Sequence, residues 1–130
     1  MNILETANRL LASNTTIFLS EEGEADMGYL VGRRTYNLRI GRTIAESLSA
    51  FPVVKAWLET VQHVVNEDNT IGSWTDADTG DLHLDVSDIF DNLFVAREHA
   101  AKRGELAIWD IENATEIRTH EPERIPFGSR

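Results

Sequence analysis

The chain contains no cysteine, only three prolines and only two lysines. Without thiols there is no disulfide scaffold, no zinc ribbon and no thiol chemistry. Cations are scarce: 12 Lys and Arg stand against 22 Asp and Glu, a formal charge of −10. A chain of that sign repels nucleic acid and anionic membranes at long range, so neither is expected as a direct partner. Long apolar runs are also missing, far short of the roughly 20 residues that cross a bilayer. The first residues, Met1-Asn2-Ile3-Leu4-Glu5, lack the basic stretch of a secretory signal. A cytoplasmic location is therefore expected. The four histidines, at 63, 83, 99 and 120, are never three or four residues apart, so no paired ligand motif exists. There is no glycine-rich phosphate loop and no Gly-x-Ser-x-Gly elbow. No metal, cofactor or catalytic residue is expected.

What remains is an ordinary globular composition. The 130 residues, 42% hydrophobic and 8% aromatic, supply enough apolar mass for one core. Ile3, Leu4, Ala7, Leu10 and Leu11 recur at helical spacing. A β-branched and aromatic strand follows at Thr15 to Leu19, then an acidic turn from Ser20 to Asp26. Tyr29 to Val31 and Tyr36 to Ile40 read as two strands of a hairpin. Pro52 suits the first turn of a helix capped near Ser49, whose stripe is Val54, Trp57, Leu58, Val61, Val64 and Val65.

The later half has the cleaner pattern. A strand from Thr70 to Thr75 leads into the turn Asp76 to Gly80, and Leu82, Leu84 and Val86 then alternate with His83, Asp85 and Ser87. Asp88 or Asp91 is the expected cap of a helix ending at Gly104, with Phe90, Leu93, Phe94, Ala96 and Ala100 on its buried side. Leu106 to Trp109 reads as an interior strand, and Ala114 to Arg118 pairs with it or extends it. Trp57, Trp74 and Trp109 are all expected in the core. The order of elements predicts an α+β fold, a mainly antiparallel sheet with helices on one face. It forms a single domain over residues 1–118, followed by a loosely held tail over 119–130.

Charge is unevenly spread. Residues 1–65 are net −1 and residues 66–130 net −9, and no Lys or Arg lies between Lys55 and Arg97. Asp76, Asp78, Asp81, Asp85, Asp88 and Asp91 fall in that gap. Together they read as an acidic face for a basic protein surface, since opposite fields steer association. The plainer reading is a solvated surface, with Asp placed at turns and helix starts. Arg33, Arg34, Arg39 and Arg42 form a basic cluster that can hold an anionic group, pair with acids of the same chain, or join two copies as a homodimer. Asp76 to Asp81 departs from a calcium loop: glycine comes one place early, and Ser87 stands where the closing glutamate belongs. A hairpin turn is the expected structure there. His83 and Asp85 share a wet strand face, and with the arginine cluster they make the alternative reading, a small ligand-binding domain or enzyme.

Gly72-Ser73-Trp74-Thr75-Asp76-Ala77-Asp78-Thr79-Gly80, Leu82-His83-Leu84-Asp85-Val86-Ser87, Ala96-Arg97-Glu98-His99-Ala100 and Leu106-Ala107-Ile108-Trp109-Asp110 together resemble a module of small proteins from actinobacterial phages and related mobile elements. The resemblance spans roughly residues 29–117. It brings no activity and assigns no catalytic or binding residue. It implies a phage or prophage setting, where small acidic proteins bind host proteins, including defence and nucleic-acid-handling systems, or serve as virion and assembly components. The sequence therefore points to a non-enzymatic interaction protein.

Overall fold

The structure, a computed structural model, describes residues 1–12, 16–20 and 23–119. Among these the fold is α+β, with four α-helices and eight strands. In chain order they are α1 (Ile3–Ala12), β1 (Ile17–Ser20), β2 (Gly23–Glu24), β3 (Tyr29–Gly32), β4 (Leu38–Ile40), α2 (Arg42–Ala45), α3 (Ala50–Val61), β5 (Asn69–Thr75), β6 (Leu82–Phe90), α4 (Leu93–Arg103), β7 (Ala107–Asp110) and β8 (Thr115–Arg118). Their contacts divide into two compact units: Met1–Ala25 with Arg33–Asp88, and Asp26–Gly32 with the described residues from Ile89 onward. No helix among the described residues is long and apolar enough to cross a membrane.

In the first unit the strands run β2-β1-β5-β6-β4, each antiparallel to its neighbour. Cross-strand partners share a face, so the registers decide what is covered. Leu19, Ile40, Ile71, Leu82, Leu84 and Val86 all point to one side, where α1 and α3 bring Ala7, Leu10, Val54, Trp57, Leu58 and Val61. Most of the helical stripes read from the sequence are buried, but Leu4 is 53% exposed, and Val64 and Val65 lie beyond the end of α3, half-buried against the core. Asn2 starts α1 by accepting the Glu5 amide at 3.0 Å, which satisfies an otherwise orphan donor. Pro52 lies in the first turn of α3 after Ser49. The Trp57 indole donates to the Tyr36 carbonyl at 2.7 Å, so its polar edge is satisfied inside the core. Buried Asn69 ties off the chain after α3, donating to the Val64 carbonyl at 2.6 Å and accepting the Asn66 amide at 2.8 Å.

In the second unit β3 pairs with β7 and β7 with β8, both antiparallel. Val31, Ala96, Ala100 and Ile108 form its small core. Two alanines let α4 lie close over β3 and β7. Gly104, at φ +70°, ends α4 as a left-handed cap.

Five expectations fail here for physical reasons. Strands β3 and β4 do not pair with one another: β3 takes β7, and β4 takes β6. Between them a 3₁₀ turn occupies Arg34–Tyr36, and Arg33 is held by β6, its amide donating to the Val86 carbonyl at 2.8 Å. Neither Asp88 nor Asp91 caps α4. Strand β6 runs on through Asp88 to Phe90, and Asn92 does the capping, accepting the Val95 amide at 3.2 Å. Phe94 is 70% exposed, because it shares the outer side of α4 with Glu98 and Ala101. Leu106 is 81% exposed, since β7 begins one residue after it. Thr119, expected in the loose tail, is buried and bonded, its amide donating to the Leu106 carbonyl at 3.0 Å and its hydroxyl to Glu105. The rest of that tail lies outside the described residues.

Candidate protein-interaction surface

The candidate acids are carried mainly by the β5–β6 hairpin. Its ladder runs from Asn69 opposite Asp88 to Thr75 opposite Leu82. The turn is closed by Asp76 N–H donating to the Asp81 carbonyl at 2.9 Å, and Gly80 N–H to the Asp76 carbonyl at 2.8 Å. Asp76 braces it further, accepting the amides of Asp78 at 2.8 Å and Thr79 at 3.2 Å. Gly80 takes φ +76°, the left-handed conformation expected for it. A Cβ there would stand 2.7 Å from Arg42 Cδ, because the Arg42 stem lies across the turn.

Two of the six aspartates are not available to a partner. Asp81 is 7% exposed. One carboxylate oxygen accepts from Arg39 Nε at 2.7 Å and the other from the Arg42 amide at 3.0 Å. Desolvation, the largest single influence, pushes the Asp81 carboxyl up. The Arg42 amide, the Arg39 charge and hydrogen bond, and the Thr79 hydroxyl outweigh it and hold the group below its ordinary 3.8. Asp88, at 6% exposed, takes Arg33 Nε at 2.8 Å. That hydrogen bond, against some desolvation and with help from the Asp88 and Tyr36 charges, raises the Arg33 guanidinium further above its usual range. The arginine cluster thus pairs within the chain rather than gathering into an anion site: Arg33 with Asp88, Arg39 with Asp81, Arg42 with Glu46 at 3.2 Å. Arg34 is exposed on the 3₁₀ turn.

A depressed carboxyl has a definite pH consequence. The Asp81 contribution is fully present above the unfolded-state value and is lost as pH falls through the lower folded-state value. Thermal melts carried from neutral pH to well below 3.8 are expected to show this contribution held above that value and lost below it. In Asp81→Asn the loss should be smaller, and its stability at neutral pH lower than that of the parent. Superimposable pH profiles for parent and variant would show that Asp81 is only a solvated turn residue.

The other four aspartates divide by unit. Asp76 and Asp78 edge the turn without an ion pair among the described residues, Asp85 lies on the strand, and Asp91 belongs to the second unit, exposed. The six carboxylates do not form the single uncompensated surface that the charge gap implies. The groups that do gather are on the sheet face turned away from α1 and α3. Register puts Arg39 opposite His83, His83 opposite Trp74, Asp85 opposite Gly72, and Gly72 opposite Phe18. The Trp74 and His83 rings are parallel within 9°, with centroids 4.1 Å apart. The Trp74 indole donates to Asp85 Oδ2 at 3.0 Å, the diagonal neighbour one pleat along. Phe18 packs so tightly on Gly72 that a Cβ would come within 2.9 Å of its ring.

Trp74 is therefore not a core residue. It is 37% exposed at the end of β5, where the strand leaves the core. Its place is recoverable by counting outward from the turn, since the wet residue His83 has Trp74 as its cross-strand partner. Phe18 has no such local signal, because its strand finds β5 only through the fold. His83 stacks on Trp74, and Asp85 accepts the indole N–H, so the pair is built into a flat aromatic and acidic patch. No group of three or more side chains able to hold a metal occurs among the described residues. No protein family, curated protein or solved structure matches this chain.

Proposed function

We propose that this chain is a non-enzymatic interaction protein that docks on a basic surface of another protein. The observation that carries the reading is the Trp74 indole, stacked on His83, hydrogen-bonded to Asp85 and still more than a third exposed. A flat, pre-oriented aromatic with a carboxylate at its edge suits an arginine or lysine of a partner. The ring face attracts the cation, the carboxylate accepts its N–H groups, and little side-chain entropy remains to be lost. Asp76 and Asp78, next along the chain on the turn, add negative field that favours encounter. The net charge of −10 works in the same direction. The resemblance to small phage proteins supports a partner in the host cell or in the phage itself, with inhibition of that partner as the effect and the cytoplasm as the place.

The reading differs from one based on acid count alone, and the difference is measurable. Capture of a partner from host lysate is expected at low salt, with much less at high salt. Trp74→Ala should abolish it, and Asp85→Asn should weaken it about tenfold, the usual scale for one charge-assisted contact. Circular dichroism of both variants checks that the fold is kept. Undiminished capture by a folded Trp74→Ala protein removes this reading.

A further inference from the structure

The second unit ends in a strand with one side unused. Among the described residues β8 pairs only with β7. We propose that a second copy of this chain pairs along that edge, β8 against β8, antiparallel, with the two-fold axis beside Ile117.

The register of the β7–β8 ladder leads to this arrangement. Partners in the ladder are Ala107 with Arg118, Ile108 with Ile117, Trp109 with Glu116 and Asp110 with Thr115. The Thr119 amide donates to the Leu106 carbonyl at 3.0 Å. Hydrogen-bonded and non-bonded positions alternate along an antiparallel pair. Counting from Thr119, Ile117 and Thr115 spend their main-chain groups on β7. Glu116 and Arg118 then turn theirs toward the open edge.

A two-fold at Ile117 sets Glu116 of one copy opposite Arg118 of the other, and the reverse. These are the two positions whose amides and carbonyls are offered, so each Glu116/Arg118 couple exchanges two main-chain hydrogen bonds. The side chains of such a couple stand on the same face as direct cross-strand neighbours. They carry opposite charge, and the symmetry makes the ion pair twice. Glu116 and Arg118 are both exposed, and neither has a hydrogen-bonded or ionic side-chain partner among the described residues. The two Ile117 side chains meet at the central non-bonded position on the opposite face, where Ile117 packs at the margin of the small core. Helix α4 packs over β3 and β7, which leaves room above β8 for a neighbour. Exposed Leu106, beside Thr119, adds apolar area at the end of the edge.

Four short residues per copy make a small interface, so the association is weak and reversible. The test is sedimentation of the full chain over a wide concentration range. A concentration-dependent monomer–dimer equilibrium is expected. Glu116→Arg and Arg118→Glu, made separately, should each raise the dissociation constant about tenfold, because each turns two attractive pairs into two repulsive ones. The double variant restores opposite charges across the axis and should return the constant to near the parent value. A parent chain that stays monomeric at every concentration overturns the proposal. So does a dimer indifferent to the single reversals, or one that the double reversal fails to rescue.

Discussion

Leu84→Ala is expected to cost the first unit about 3–5 kcal/mol, the range for emptying a well-packed leucine site. Leu84 has no exposed surface. It sits in the middle strand of its neighbourhood, with Ser73 of β5 on one side and Leu38 of β4 on the other. The chain is hydrogen-bonded on both sides there, so the backbone has little freedom to close the void. Urea titration followed by circular dichroism gives the number, and amide exchange should report the loss in β4, β5 and β6. Phe94→Ala is the matching control: it removes more side-chain volume, from a position 70% exposed, and should change stability by under about 0.5 kcal/mol. A loss below about 1 kcal/mol for Leu84→Ala would mean that this face of β6 is not the packed interior described above.

Gly28→Ala carries the second large effect, about 3 kcal/mol against the second unit. Gly28 has φ +112°, a region that side-chain-bearing residues rarely enter and that costs of order 1–3 kcal/mol. Its carbonyl is fixed by the Ile111 amide at 3.0 Å, so the turn cannot rotate away without losing that bond. A Cβ would also stand 2.7 Å from Ile89 Cγ2 and 3.4 Å from the Phe90 carbonyl. A branched side chain and a strand backbone yield less easily than a flexible stem, and overpacking of this kind adds about 1–3 kcal/mol. Gly104→Ala separates the two causes. It has φ +70° with open space around the added atom, and should cost only about 1 kcal/mol. Equal losses at the two glycines would show that crowding at Gly28 counts for nothing.

The parts of this fold that were legible in the sequence are those governed by neighbours in the chain. Helical stripes in α1 and α3, the alternation along β6, the turn at Gly80 and the stop at Gly104 all depend on residues within a few positions of one another. Failures begin where a strand had to choose a distant partner. Tyr29 to Ile40 holds two strands as its pattern suggests, but not the hairpin expected of them: β4 bonds to β6 and β3 to β7, and nothing local announces either partner. The same gap hid the fate of the aspartates. Asp81 is an internal ligand for Arg39 because β4 lies beside β6, and Asp88 one for Arg33 because the Arg33 amide is bonded to β6 at Val86; charge counts along the chain carry no such information. Trp74 was misplaced for a related reason. The first five residues of β5, Asn69 through Ser73, are buried on both faces, and the last two emerge, so no period runs through the whole strand.

The Arg33–Asp88 contact sits at a particular pair of places. The chain leaves the second unit between Gly32 and Arg33 and returns to it between Asp88 and Ile89. The first residue of that excursion and its last are thus joined, Nε to carboxylate, at 2.8 Å. A protein without thiols has looped a long stretch of itself shut with charge. A covalent bridge would do so permanently and would answer to redox conditions. This latch is indifferent to redox conditions, and with Asp88 only 6% exposed it is screened little by salt.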